Sequence, residues 1–351
     1  MDFAHRMAAA VAVGAALWSS VALAQFRDPL DHPAIKVDRV AERPMQAVAK
    51  AGARLVAVGA RGMIAVSPDR GETWNQVVSP VQSDLVALHF PSATHGWVVG
   101  HDGVVLHSAD GGATWIRQLD GRLAKEAFAR HYANAATPAE AAAARAVAEN
   151  YRAGPSLPFL DVWFDDEQHG FVVGAFGLLA ATTDGGKSWT PWMDRIDNPD
   201  LLSLNAVRGG DGGVYIVGER GAIFRLDRAA GRFVRTDTGY EGSLFGLAVS
   251  PDVTLAFGLR GALYRSVDKG ASWTRVDTPT AASFSAGAAL AGSGGFVLAN
   301  QAGELMRIDA SGTRFALNKA TRTWRYTGVA QADSGQLLLS AFEGLALEPA
   351  R

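Results

Sequence analysis

The stretch Val99-Gly100-His101-Asp102-Gly103-Val104-Val105-Leu106-His107-Ser108-Ala109-Asp110-Gly111-Gly112-Ala113-Thr114-Trp115 reads as two short strands and two turns. Gly100 and Gly103 bracket a tight hairpin, where glycine accepts the positive φ that such turns demand. Val104 to His107 then runs as a strand into a second turn, Ser108-x-Asp110-x-Gly112-x-Thr114-Trp115. There a short carboxylate accepts hydrogen bonds from the turn's own amides, and the indole at the exit packs on the neighbouring unit.

The unit recurs. Val58-Gly59 to Gly62 leads to a Ser67-x-Asp69-x-Gly71-x-Thr73-Trp74 turn, and Val173-Gly174 to Gly177 leads to Thr182-x-Asp184-x-Gly186-x-Ser188-Trp189. Phe257-Gly258 to Gly261 leads to Ser266-x-Asp268-x-Gly270-x-Ser272-Trp273. Two worn copies pass through Gly221 to Asp227 and Phe233, and through Gly303 to Asp309 and Phe315; a seventh opens at Leu339 to Gly344. The hairpin glycines 62, 103, 177, 221, 261, 303 and 344 are spaced 41, 74, 44, 40, 42 and 41. One gap is too long by about a helical hairpin.

A period near 42 with four short strands per unit predicts an all-β fold, a seven-bladed β-propeller with an α-helical hairpin inserted between blades two and three. Leu160 to Phe164 and Leu244 to Val249 are expected to line the central channel as first strands of their blades. The seventh unit lacks its outer strand, so residues 25–40 are expected to circle back and supply it, removing an exposed edge. Residues 25–351 then form one domain.

Thirty-nine glycines beside 48% hydrophobic residues suit many short buried strands joined by tight turns. A net charge of -2 with no basic stripe argues against nucleic-acid binding. Residues 1–24 read as a secretory signal, with His5 and Arg6 before an apolar run from Met7 to Leu23 and an Ala22-Leu23-Ala24 cleavage pattern; a retained membrane anchor is the alternative. Cysteine is absent, so neither disulfides nor a lipid-modified cysteine operates. The expectation is a soluble, monomeric, periplasmic protein without a cofactor.

The insertion spans residues 120–155. Ala124, Phe128 and Tyr132 fall on one face of a first helix, and Thr137-Pro138-Ala139-Glu140 is a capping box opening a second, which Gly154-Pro155 stops. It reads as a solvated decoration on the face where links between blades emerge. Asp165-Asp166-Glu167 reads as a solvated turn rather than a metal site, since no spacing there resembles a calcium loop. His95-Gly96-Trp97 and His169-Gly170-Phe171 occupy the same turn of their blades, which points to turn packing before metal ligation.

The turns at 67, 108, 182 and 266 resemble the Asp-box, or bacterial neuraminidase repeat. With Gly-x-x-Gly ahead of the box and His-Gly-Trp ahead of that, the whole unit resembles the photosystem II stability and assembly factor family and its relatives in non-photosynthetic bacteria. The resemblance implies an exported propeller that assists assembly of membrane protein complexes without catalysis, with an efflux-type transporter as one possible client. In it Asp69, Trp74, Asp110, Trp115, Asp184, Trp189, Asp268 and Trp273 are structural. The helical insertion departs from the photosynthetic members and argues against a photosystem client.

Asp-boxes also occur in sialidases, so a glycoside hydrolase or carbohydrate-binding propeller is the alternative. The arginine motif that opens sialidases is missing; the nearest match is Asp194-Arg195-Ile196-Asp197, out of place and without proline. Asp102, Glu219 and Glu343, in hairpins expected to converge around the axis, are the carboxylates a glycosidase would pair. The rival reading is a recognition rim on the same hairpins, made by Arg61, Asp102, Phe176, Arg220, Arg260 and Glu343 and binding a protein partner at or in a membrane.

Overall fold

The computed structural model describes residues 27–350 except Ser293 and Ser334, so the signal at 1–24 lies outside the described residues. Seven antiparallel sheets follow one another along the chain, each with its strands in sequence order. Blade two shows the plan: Leu85–His89 innermost, then Gly96–Gly100, Val105–Ser108 and, outermost, Ile116–Leu119. Each first strand lies beside the first strands of the blades before and after it, and that of blade one, Met45–Ala51, lies against that of blade seven, Tyr326–Asp333. The chain is a seven-bladed β-propeller.

Second strands such as Gly96–Gly100 and Gly170–Gly174 are buried along their whole length, because both faces of a blade meet a neighbour. The core is accordingly divided into clusters between adjacent blades. Trp115 sits with Val56 and Val58 of blade one and Val98 and Leu106 of its own blade. Trp97 stacks on Phe164 of blade three at 3.6 Å and donates to Gln118, whose amide reaches Gly185 O in the next Asp-box turn at 2.8 Å.

The hairpin turns correct one expectation. Gly100 has φ -172°, ordinary extended backbone; it is glycine because a Cβ there would stand 2.1 Å from Asp84 O, where the inner strand of the blade enters. The positive φ falls instead on Asp102 (57°) and Gly103 (65°), with Val104 N bonding His101 O at 3.2 Å. Two consecutive left-handed residues make the mirror-image turn that matches strand twist.

Among the described residues blade seven has three strands, Tyr326–Asp333, Gln336–Ala341 and Gly344–Pro349, and residues 27–40 supply no fourth. The expected closing strand is therefore corrected. Pro29 and Pro33 have no amide hydrogen, and the segment spends its other groups elsewhere: Ala34 N on Ser79 O, Pro29 O on Gln82 N, and Ile35 O and Val37 N on the Gln76 side chain. It still closes the ring, by burial. Val37, Val40 and Ala41 pack between Met45, Leu55 and Ala65 of blade one and Leu338, Leu345 and Leu347 of blade seven.

The insertion forms helix α1, Gly121–His131, and helix α2, Pro138–Asn150. Asp120 caps α1 through Arg122 N and Leu123 N, and Thr137 with Glu140 closes a reciprocal capping box on α2. The insertion is no solvated decoration: Ala124, Phe128, Tyr132, Ala146, Val147 and Tyr151 share one apolar cluster with Leu119, Phe159 and Trp189 of blades two and three. Tyr132 Oη donates to Asp194 Oδ1 at 2.6 Å, and burial with that carboxylate beside it raises the phenol's pKa.

Candidate functional site

Two surfaces follow from this topology. The hairpins between second and third strands share a face with the links between blades, whereas the Asp-box turns lie on the opposite face. The insertion belongs to the hairpin face: Gly121 N and Cα crowd Gly103, and Asn150 Nδ2 donates to Phe176 O at 3.1 Å.

On the Asp-box face the turns repeat one hydrogen-bond pattern. Ser108 Oγ donates to Asp110 Oδ1 (2.9 Å) and accepts from Gly112 N (2.9 Å), while Thr114 N and Oγ1 reach the two carboxylate oxygens of Asp110 at 2.9 and 2.7 Å. The same bonds tie Ser67, Asp69 and Thr73, then Thr182, Asp184 and Ser188, then Ser266, Asp268 and Ser272. Donation from the Ser272 hydroxyl and amide, with the Ser266 hydroxyl, pulls Asp268 down to about 2. Trp115 and Trp189 are buried, and Trp74 and Trp273 are half-buried between blades. The serine, threonine and aspartate side chains of each turn thus bond one another and the turn's own amides.

At the hairpin tips the backbone carries φ of 57° at Arg61, 57° at Asp102, 53° at Phe176, 50° at Arg220 and 55° at Arg260. Every tip is stitched to its surroundings. Arg61 N donates to Asp84 Oδ1 at 2.7 Å, Arg260 N to Ser283 Oγ at 3.1 Å, and Ser83 Oγ to Asp102 Oδ2 at 2.7 Å. Arg220 faces Asp200 at 3.7 Å and Glu343 meets Arg325 at 3.4 Å. The side chains of Arg61, Phe176, Arg220 and Arg260 project from these anchored turns into solvent. The six residues stand on six different blades, as points on a ring rather than a cluster.

The expected convergence of Asp102, Glu219 and Glu343 on the axis is corrected as well. The channel is lined by first-strand residues, among them Gln46, Asp161, Asn205, Arg208, Ser285 and Thr327, and by none of those three carboxylates. Each is engaged locally, Glu219 by Ser203 N at 2.9 Å, and no facing pair forms. His95 and His107 bond each other at 3.1 Å and His169 bonds Asp166 at 2.9 Å; among the described residues no grouping of His, Asp or Glu is fit to hold a metal ion.

Sequence reasoning missed the channel's charged centre. Arg208 Nη1 bonds Asp161 Oδ2 and Val207 O, and the second oxygen of Asp161, 3% exposed, has no partner. His89 lies tilted against Trp163, ring centroids 4.0 Å apart, and accepts the Phe164 amide on Nδ1 at 3.1 Å. Burial, with the nearby Arg208 charge, pushes His89 down to about 3. The available signal was a charged residue inside a first strand, in Phe159-Leu-Asp-Val-Trp-Phe164 and again at Arg208.

With this geometry established, similarities to known proteins are informative. The family model described as photosynthesis system II assembly factor YCF48 matches residues 66–132 and 154–327, more than half of the chain. A photosystem II assembly protein Ycf48 of Synechococcus sp. (strain JA-2-3B'a(2-13)) is 30% identical over 190 residues, covering 49% of this chain and 55% of that protein. A chloroplastic photosystem II stability/assembly factor HCF136 of Cyanidioschyzon merolae is 40% identical over 70 residues, covering 18% of this chain and 16% of that protein. The chain thus spans about half the length, or less, of these curated relatives. Among solved structures, one titled YCF48 bound to D1 peptide superposes with a TM-score of 0.62 at 15% identity, covering 91% of this chain and 99% of that one. A streptogramin B lyase reaches a TM-score of 0.66 at 10% identity, covering 88% and 94%, which shows how widely the fold alone is shared. The family match takes in the Asp-box turns that build the fold: the chain belongs to the YCF48 family of photosystem II assembly factors.

Proposed function

We propose that this chain is an assembly or stability factor that binds a protein subunit of a membrane complex through the hairpin face, with Arg61, Asp102, Phe176, Arg220, Arg260 and Glu343 as the contacting rim. The observation that carries this reading is backbone conformation. Five of these positions hold a non-glycine side chain at φ between 50° and 57°, which costs each about 1 kcal/mol against glycine. Strain repeated at one position around a ring, on exposed arginines and a 55% exposed phenylalanine, is retained where the side chain itself is used.

Binding rather than catalysis fits the local engagement of the hairpin carboxylates. Relatives named for photosystem II assembly, one of them a lipoprotein, and a solved relative titled as bound to a D1 peptide support a client in a membrane complex and an exported location. We take the protein to be periplasmic and monomeric, with an efflux-type transporter as the finer choice of client.

The test is capture from solubilised membranes. Arg61→Ala with Arg220→Ala and Arg260→Ala removes three exposed charges and should cut capture of the partner about tenfold and flatten its salt dependence, with melting nearly unchanged. Capture equal to wild type would remove the hairpin face from consideration.

A further inference from the structure

A second cavity of about 320 Å³, with Arg208 in its wall, lies at the C-terminal ends of the first strands, toward the Asp-box face. The polar side chains in its wall are Arg208, Lys50, His89, Trp163 and Gln331, with no carboxylate among them; the Trp163 Nε1–H is already given to Asp165 Oδ1 at 3.3 Å. Gln331 Oε1 already accepts the Ala291 amide at 2.7 Å, so its amino group is the free end. His89 accepts the Phe164 amide on Nδ1, which fixes its proton on Nε2 and makes that nitrogen a donor. Arg208 Nη1 is committed to Asp161 and to backbone carbonyls, leaving Nε and Nη2. Half-buried apolar side chains, among them Val249, Ala289 and Ala330, complete the wall beside Gly209 and Gly287.

The Arg208–Asp161 pair is an expensive way to hold a strand. Asp161 is 3% exposed and one of its oxygens has no partner, and a buried pair left partly unsatisfied adds little stability or subtracts from it. What it does achieve is a guanidinium held in the channel wall, bordering both cavities.

We propose that the Asp-box-side mouth of the channel binds a small organic carboxylate with an apolar body, its carboxylate held by Arg208, Lys50 and the His89 Nε2–H and its body lying against Val249, Ala289 and Ala330. The charge favours a monoanion. Asp161 balances Arg208, and Lys50 supplies the one positive charge in excess among the three. Inorganic phosphate fits worse, since it offers nothing to the apolar walls and brings up to two negative charges. A planar guanidinium edge matches a carboxylate, and 320 Å³ lies in the range of small-molecule sites.

Benzoate is the probe, titrated into the mature protein by calorimetry beside benzamide and inorganic phosphate. Benzoate should bind, with benzamide and phosphate each weaker by about tenfold or more. Lys50 is exposed, so Lys50→Gln should fold normally and weaken benzoate about three- to tenfold. Asp161→Asn with Arg208→Gln removes the buried pair together, sparing either partner an unpaired charge, and should abolish benzoate binding; if that double variant does not fold, Lys50→Gln decides alone. The Arg61, Arg220 and Arg260 triple variant should bind benzoate as wild type does, which separates this site from the hairpin face. No benzoate binding, benzamide binding as tightly as benzoate, phosphate binding more tightly, or full affinity in Lys50→Gln would each overturn the proposal.

Discussion

At the scale of single residues, one carboxylate per Asp-box accounts for a turn of eight residues. Asp110 accepts from two hydroxyls and an amide, so Asp110→Ala leaves those donors without their acceptor. It should lower unfolding stability by about 1 to 3 kcal/mol while the folded fraction still captures the partner. Loss of capture with unchanged melting would make the turn functional instead. The same bonds carry a pH dependence. Asp268 is depressed from 3.8 to about 2 in the folded state, so the unfolded chain takes up the proton first as pH falls. Its stabilisation is complete above pH 3.8 and is lost between there and about 2. Asp268→Asn should therefore flatten the acid limb of a stability-versus-pH curve in that window; an unchanged limb would refute the assignment. The residue pattern was legible because an Asp-box turn is bonded almost wholly within itself. The φ of Asp102 and the carbonyl crowding Gly100 were not, since one glycine spelling serves two physical demands.

At the scale of elements, helices α1 and α2 were readable from Ala124, Phe128 and Tyr132 and from the Thr137 capping box, because caps and stripes are local. What their apolar faces cover was not local; only packing decided that Phe128 and Tyr151 join the core of blades two and three. The N-terminal segment teaches the converse. Its place beside blades one and seven was inferred from a missing strand, yet side chains rather than ladder bonds do the closing. Val40, 4% exposed between those blades, is the sensitive position. Val40→Asp buries an unpaired carboxylate and should cost about 3 kcal/mol or more and promote association through the edge of blade seven. Ile35→Asp, on the same segment at a site 67% exposed, should melt as wild type does. Equal melting of the two variants in a thermal scan would show that the segment does not close the ring.

At the scale of the whole molecule, seven blades share one plan, and the ring is sealed where Thr327 Oγ1 donates to Met45 O at 2.7 Å and Gly328 admits the backbone of Ala47. The sequence by itself determined the number of units, the all-β class, the helical interruption and the Asp-box chemistry. Each of these is set by bonds within some 40 residues, and repetition writes such bonds out several times over. Only the tertiary structure decided which side chains meet across units. It turned Asp102, Glu219 and Glu343 away from the axis, gathered Arg208, Asp161, His89 and Lys50 in or beside the channel, and seated the insertion in the core. The physical reason is that alternation along a strand reports that two faces differ, whereas which face looks into a channel depends on how first strands from seven blades are tilted and packed around one axis.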